Sequence, residues 1–556
     1  MPAEVSSPAP DVPTWYRHPV LWLVLATLVC LGPFVRKAVH VDDYLFIRSA
    51  RQILEHPSDP FGSVINWYDT AMPLASVTQN PPGVSYYLAG VGGLFGRSEL
   101  ALHLAFLLPA LAAVLGTYVV ARRFCPQPAV AAGLALVSPV FWVSATTLMS
   151  DVPMLALWLW AVDCWLRGLE RGATRWFAVS AILIALAVLT KYFGAALLPL
   201  LLAYTLIRER RPSWELLWLL LPVAVLLAYE WATTLRYGHG MLGAAGHYTQ
   251  IVARPGTAWQ RVLIALSFTG GCLLPVLMFA PYLWSRRGLA VGGLVGVALV
   301  GALPLAEKLG VTPLHFETTT RWGLIVQVAL FAVGGLSVLV LTLDDLRTNH
   351  DADAWLLALW VGGTLFFAVM LNWTVAGRSL LPLAPVVGIL VVRRMARRIP
   401  RPGSVAAGLR WWPLLPAALV GAAVAQADAT LAGDARTAAR VIHEQLGGRG
   451  AGIWFQGHWG FQYYMEAAGA TPVDKGAVVA APGDYLVTPE INSNSTPPPE
   501  AMFERVGDIE IASGGWIVVM HIPSGAGFYS DQWGPLPFVV APVPTQRFTI
   551  SRARPW

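Results

Sequence analysis

Long apolar runs separated by short polar stretches recur from residue 19 to about residue 427. Runs of this length match the roughly 30 Å hydrocarbon core of a bilayer, and they predict about thirteen membrane spans. Approximate limits are 19–37, 98–121, 128–147, 152–168, 176–190, 193–207, 214–235, 260–284, 289–306, 322–343, 355–372, 379–393 and 411–427. The fifth and sixth are short for full crossings and read equally as a re-entrant pair. Residues 38–97 interrupt the pattern with a long polar loop. In it, Phe46, Ile47, Ile53 and Leu54 are spaced for an amphipathic stretch lying along the interface. From about residue 428 the pattern changes again. Ala435–Leu446 has helical periodicity, while Gly452–Phe455, Asp484–Val487 and Trp516–His521 look like short strands between Gly- and Pro-rich turns. Ser493–Glu500 is a Ser/Pro-rich loop, and no internal repeat is visible.

The expected fold is therefore an α-helical polytopic membrane protein with a small C-terminal α/β domain. Its parts are a cytoplasmic tail (1–18), a transmembrane module (19–427) whose first outer loop is 38–97, and an extracytoplasmic domain (428–556). The first run, Val20 to Val35, lacks a small-residue cleavage pattern and reads as a retained span.

Composition agrees: 56% of residues are hydrophobic and 13% charged, against about 25% charged in a soluble protein. The net charge of +6 arises mainly from Arg clusters between spans, which points to orientation and anionic-lipid contact and not to nucleic acid. Arg122-Arg123, then Arg167, Arg171 and Arg175, then Arg208, Arg210 and Arg211, then Arg286-Arg287, then the run from Arg393 to Arg410 fall in alternating loops. The positive-inside rule places these in the cytoplasm. The loops 40–97, 236–259 and 307–321 and the tail then face outward, with Arg36 and Lys37 as exceptions at the outer end of the first span. Cys30, Cys125, Cys164 and Cys272 lie in or near spans, without metal-ligand spacing or a disulfide framework.

In this topology four polar features share the outer surface. The carboxylate pair Asp42-Asp43 follows the first span. Gln79-Asn80-Pro81-Pro82-Gly83 leads into Tyr86-Tyr87. Ser150-Asp151-Val152-Pro153 opens the fourth span, and Lys191, Arg321 and Arg378 are isolated cations at outer span ends. Carboxylates beside cations suit group transfer from a polyprenyl phosphate: an acid takes the proton of an attacking hydroxyl, and cations neutralise the departing phosphate. Each feature also has a plainer reading. Asp151 can cap its helix; Asp42 and Asp43 can pair with Arg36 and Lys37; Lys191 and Arg378 can snorkel to the interface. His239 and His247 share a loop and are the only metal-ligand candidates, but equally ordinary loop residues. Asp163, inside a span, suits a helix–helix polar contact.

Taken in order, the acid pair after the first span, the first loop ending in Asn80-Pro81-Pro82 before Tyr86-Tyr87, and Ser150-Asp151-Val152-Pro153 resemble the C-type integral-membrane glycosyltransferases. The branch they resemble holds the protein O-mannosyltransferases and the aminoarabinose transferases of lipid A modification. Leu189-Thr190-Lys191-Tyr192 and Asn372-Trp373 before Arg378 fit the same pattern, so the resemblance covers roughly residues 20–395. It implies inverting transfer of one sugar from a polyprenyl-phosphate donor to a lipid, glycan or protein hydroxyl at the outer face of a bacterial inner membrane. It implies Asp42 as catalytic base, flanked by Asp43 and supported by Asp151. Lys191 and Arg378 would hold the phosphate, with Asn80, Tyr86, Tyr87 and Tyr192 as further substrate contacts.

The sequence departs from the aminoarabinose transferases where those carry Glu-Lys before Pro-Pro and this chain has Gln79-Asn80. That removes an acid able to bind metal and a lysine able to bind phosphate, so the resemblance carries no required divalent metal over to this chain. Leu45 stands where an Arg is expected, with Arg48 as its substitute. The tail's His458-Trp459-Gly460-Phe461-Gln462-Tyr463-Tyr464 looks like the outer domain of some bacterial relatives; its aromatics either stack on sugars or pack a small core. Three other readings stand beside this one. They are a secondary transporter, a flippase or polymerase-type enzyme for lipid-linked glycans, and a non-catalytic assembly partner, which the missing Glu-Lys invites.

Overall fold

The structure is a computed structural model describing residues 18–252, 257–308, 315–316, 319–398, 410–448, 450–475 and 480–555. The expected tail 1–18 apart from its last residue, most of the 307–321 loop and most of the basic run between Arg398 and Arg410 lie outside them. Among the described residues eight helices are long and apolar enough to cross a membrane, or nine if one bent pair is a single span. Several of the thirteen expected runs are shorter or broken. The run at 19–37 is α1 (Pro19–Leu31) followed by one 3-10 turn. The run at 128–147 is the bent pair, Pro128–Leu136 and Pro139–Ala145, at 66°. Proline explains the bend: Ser138 before Pro139 is extended (ψ 137°), as the proline ring requires of its neighbour. The run at 260–284 is divided into Ala258–Cys272, Pro275–Met278 and Ala280–Leu283, with Pro275 and Pro281 in the first turns of the two short helices, where their missing N–H costs nothing. The loop 38–97 holds the expected amphipathic helix α2 (Asp43–Glu55) and an apolar helix not expected there, α3 (Gly83–Phe95).

The basic clusters collect at one end of the bundle. Arg123 Nη2 donates to Asp163 Oδ1 (2.9 Å) and Arg167 Nε to Asp163 Oδ2 (2.7 Å), which gives Asp163 its helix–helix role. Arg393 reaches Asp345 (3.0 Å) and the Phe124 carbonyl (3.4 Å), while Arg394 reaches Asp344 (2.6 Å). The helix α4 (Asp151–Arg171) runs from Asp151 to this cluster, a length of about 30 Å. Its neighbour α5 (Thr174–Thr190) returns the same way, delivering Lys191 to the end that bears Asp151. The fifth run is thus a single 17-residue helix antiparallel to α4, shorter than the helices long enough to cross a membrane.

The expected boundary at 428 falls inside one continuous helix, α6 (Leu414–Leu446), which carries the chain from the bundle into the tail without a break. Its outer turns place Ala438, Ile442 and Leu446 against the tail core of Phe455, Phe461, Val487, Ile509 and Phe548. The sheet comprises β1 (Ile453–Phe455), β2 (Thr471–Pro472), β3 (Tyr485–Pro489), β4 (Phe503–Ile511) and β5 (Gln546–Ala553) in the order β2-β1-β3-β5-β4. Strand β1 is parallel to β2 and β3, with α7 (Trp459–Ala467) connecting β1 to β2; β5 is antiparallel to β3 and β4. The expected strand at Trp516–His521 forms two short pairs outside this sheet.

One buried ion pair links the two ends of the chain. Lys37 does not pair with the Asp42-Asp43 couplet; its Nζ bonds Asp428 in the middle of α6, and Thr146 Oγ1 at 3.3 Å, with both charged side chains fully buried. Asp428 also accepts from the Tyr529 hydroxyl at 3.0 Å and faces His40 Nε2 at 3.3 Å. Removing one partner of such a pair strands the other charge, at a cost of about 3–5 kcal/mol. Asp428→Ala is thus expected to lower the melting temperature markedly in detergent, and the Lys37→Met/Asp428→Leu pair to recover most of the loss. Unchanged melting of Asp428→Ala would show that the pair does not anchor the loop.

Candidate active site

The segment before the acid couplet is buried throughout, with Ala38, Val39, His40 and Val41 all at 5% exposure or less. Val41 has φ +43°, a left-handed conformation costing a β-branched residue about 1–3 kcal/mol, which only a surrounding that over-determines it can hold. Helix α7 supplies much of that surrounding. Tyr464 Oη accepts from Val39 N (2.8 Å), and Gly460 lies so close that a Cβ there would sit 2.0 Å from the Val39 carbonyl. The aromatics of the His458–Tyr464 stretch are consumed in packing: Phe461 meets Phe455 and Phe548, Trp459 meets Trp533, and Tyr463 meets Tyr44.

The couplet divides into two unlike acids. Asp43 is fully buried; its Oδ1 accepts from Leu148 N (2.8 Å) and its Oδ2 from His40 N (3.1 Å). Burial pushes its carboxyl up to about 7 against the opposing pull of Lys37 and the two backbone donors. It clasps the first loop to the segment leading into α4. Asp42 is the N-cap of α2 but its side chain caps nothing; one-fifth exposed, it accepts from Arg378 Nη1 at 2.6 Å through Oδ2. Arg378 Nη1 also lies 3.2 Å from Met149 Sδ.

Asp151 is 2% exposed and bonds Lys191 Nζ, so it is an ion-pair partner and not a cap, and Lys191 is paired and not snorkelling. The extended backbone of Lys191 (φ −155°, ψ 130°), between α5 and a 3-10 turn, turns the chain at this point. The Asn80–Gly83 turn is seated beside it, since a Cβ on Gly83 would lie 2.6 Å from the Leu189 carbonyl. Lys191 and Arg378 are within electrostatic reach of each other and of both carboxylates. The result is a compact, formally neutral quartet of Asp42, Arg378, Asp151 and Lys191, in which Asp42, Arg378 and Lys191 each keep 17–19% side-chain exposure and Asp151 is enclosed. Tyr68 and Tyr248 lie within electrostatic reach of Asp42, and Trp373 packs edge-on against Tyr248 at 5.9 Å.

Other expected site residues are placed differently. The Tyr86 hydroxyl donates to the Pro57 carbonyl (2.6 Å) and that of Tyr87 to the Ala105 carbonyl (2.7 Å), so both anchor α3. Tyr192 packs against Tyr229, with ring centroids 6.5 Å apart. Asn80 is half-buried in its turn, its backbone N–H on Thr78 Oγ1 at 3.4 Å. Arg48 donates to the Val64 carbonyl (2.7 Å) and does not stand in for an arginine at the couplet. His239 Nε2 lies 3.3 Å from the Ala75 carbonyl, and among the described residues no three His, Cys, Asp or Glu side chains form a metal-ligand group, so neither His239 nor His247 belongs to one. Sequence reasoning missed Asp428, Tyr529 and His40. A charge inside an Ala-rich apolar helix was a signal for Asp428; Tyr529 had no local signal at all.

Residues 79–235 match the family model described as dolichyl-phosphate-mannose-protein mannosyltransferase. No curated protein sequence matches the chain. The apo Archaeoglobus fulgidus oligosaccharyltransferase superposes with a TM-score of 0.50 at 13% identity, over 83% of this chain and 64% of that one. This chain thus spans less than two thirds of the archaeal protein's length. Cupriavidus metallidurans ArnT bound to undecaprenyl phosphate gives a TM-score of 0.43 at 16% identity, over 85% of this chain and 92% of that one. Mycobacterium smegmatis arabinosyltransferase EmbB gives 0.34 at 15% identity, over 94% and 49%. The architecture is the C-type membrane glycosyltransferase fold.

The raised Asp43 carboxyl has a signed consequence. The folded protein holds this proton up to about pH 7, whereas an unfolded Asp releases it near 3.9. Asp43 therefore favours folding most below about pH 4, and its contribution is lost as pH rises towards 7. Asp43→Asn is expected to remove that part of the pH slope, read as the difference between wild-type and variant melting temperatures from pH 4 to 8. A constant difference across this range would refute the assignment.

Proposed function

We propose that this chain is a membrane glycosyltransferase that moves one sugar from a polyprenyl-phosphate donor to an acceptor hydroxyl at the outer face of the membrane. The observation that carries this is a partly exposed carboxylate, Asp42, beside two partly exposed cations, Arg378 bonded to it and Lys191 in reach. Of the three acids expected to be catalytic, Asp43 is occupied by two backbone donors and Asp151 by Lys191. Asp42 alone combines exposure with a position beside a phosphate-binding type of cation.

In this reading the acceptor hydroxyl gives its proton to the Asp42 carboxylate as its oxygen bonds the anomeric carbon on the face opposite the phosphate. The anomeric carbon–oxygen bond to phosphate breaks, its electron pair leaving with the phosphate oxygen, and the configuration inverts. The product phosphate gains negative charge, which the Arg378 fork and Lys191 neutralise. Arg378 serves both partners because Nη1 meets Asp42 while a guanidinium carries five N–H donors in all. Asp151 holds Lys191 near the phosphate, and Asp43 holds the loop that presents Asp42. Setting acceptor, base and phosphate in one geometry supplies much of the acceleration.

Two measurements test this. Purified protein incubated with a panel of polyprenyl-phosphate sugars and membrane extract should yield a glycosylated product by mass spectrometry, its mass giving donor and acceptor class together. Asp42→Asn should lower transfer by about a thousandfold or more, in line with removal of a general base together with its charge, while the protein still inserts and binds polyprenyl phosphate. Arg378→Gln should weaken lipid-phosphate binding by about tenfold, the loss of roughly one charge-assisted bond. Full transfer by Asp42→Asn would end its assignment as base.

A further inference from the structure

The turn that carries Arg378 has little regular structure of its own. It runs from Asn372 through an extended stretch to one 3-10 turn at Gly377–Leu380. One brace is local: Asn372 Nδ2 donates to the Thr374 carbonyl (2.7 Å) and to Ser379 Oγ (2.9 Å), bridging over Arg378. A second set of braces on its backbone comes from far along the chain, in residues 528–531 of the tail. Gly377 N donates to the Phe528 carbonyl (2.7 Å), and Asp531 N to the Val375 carbonyl (2.9 Å). Asp531 Oδ1 accepts in turn from Val375 N (3.0 Å) and from the Thr374 hydroxyl, whose oxygen also lies 2.8 Å from Ser530 Oγ. The fit leaves no slack, because a Cβ on Gly377 would lie 2.9 Å from the Phe528 ring and 3.2 Å from Cys272 Sγ. Between these anchors Tyr529, 4% exposed, crosses to Asp428, so the strap also touches the ion pair beneath the acid couplet.

From this we propose that the tail segment 526–531 is a working part of the active site, and that Asp531 is a positioning residue that sets the Arg378 guanidinium for the lipid phosphate. The proposal rests on the polyprenyl-phosphate reading above. An arginine whose backbone is fixed on both sides loses less freedom when it grips a phosphate, and the fork keeps its angle to both Asp42 and the ligand. Val375 and Gly377, the two residues flanking Ala376, are both held by the strap, so the segment leading into Arg378 has little room to swing. The same bonds give the tail a reason to be continuous with α6: it must return to the membrane surface and close the site from above.

The test uses full-length protein and undecaprenyl phosphate in detergent micelles, with quenching of intrinsic tryptophan fluorescence as the binding signal. Asp531→Ala should weaken binding by about tenfold while melting within a few degrees of wild type. Asp531→Asn, which keeps an oxygen facing Val375 N, should bind within about threefold of wild type. Because Asp531 acts through Arg378, adding Asp531→Ala to Arg378→Gln should cost nothing further; a merely structural role would instead give losses that multiply. If Asp531→Ala fails to fold, Thr374→Val, which removes the hydroxyl's bonds to Asp531 and Ser530 but leaves Val375 N on Asp531 Oδ1, carries the same comparison. Wild-type affinity in Asp531→Ala, or multiplying losses in the double variant, would overturn the strap's role alone. A wild-type protein that binds no polyprenyl phosphate would overturn the functional reading and the strap's role together.

Discussion

The buried pair between Lys37 and Asp428 is the constraint on which the outer end of this protein rests. A lysine and an aspartate without exposure are tolerable in an apolar bundle only when they meet. Their meeting ties the exit of α1 to the middle of α6. Once Lys37 is fixed there, the residues after it have a short, buried path, Val41 is driven into a left-handed conformation, and the two acids emerge facing different ways. The oddly placed Lys37 after α1 thus has a structural cause, Asp428 and not the couplet beside it.

Burial then separates carboxylates that look equivalent in sequence. Asp43 turns inward, where two backbone N–H groups satisfy it and desolvation raises its proton affinity. Asp42 turns outward to a guanidinium. A group left partly in water, next to a cation with unused donors, is able to exchange partners with a ligand; a group enclosed by backbone donors is not. The two cations are divided between the two remaining acids, Lys191 with Asp151 and Arg378 with Asp42, and both keep a partly exposed side chain.

The tail domain belongs to this arrangement and is not an appendage. Helix α6 delivers it without a joint, α7 closes over the 37–41 segment through Gly460 and Tyr464, and residues 528–531 brace the Arg378 turn. The charged residues of the opposite end form their own set of Arg–Asp bridges about one helix length away, so the two surfaces of the bundle are chemically distinct.

Hydropathy alone determined that the chain is polytopic and helical, because a bilayer demands long apolar runs. The alternation of arginine-rich loops likewise put Asp42, Asp151, Lys191 and Arg378 on one side, since charges stay at the ends of spans. The order of these residues was enough to suggest the family they resemble. Proline breaks inside apolar runs blurred the span count, because hydropathy measures composition and is insensitive to a 66° bend. Which acid of the couplet faces outward, and which cation pairs with which acid, depended on packing between segments from 40 to 391 residues apart. Tyr86 and Tyr87 show the same limit in reverse: their spacing fits a binding loop, yet their hydroxyls are used by nearby carbonyls. Tyr529 and Asp531 carried no local mark, since their significance lies wholly in the partners that the fold brings to them, and only the tertiary structure decided it.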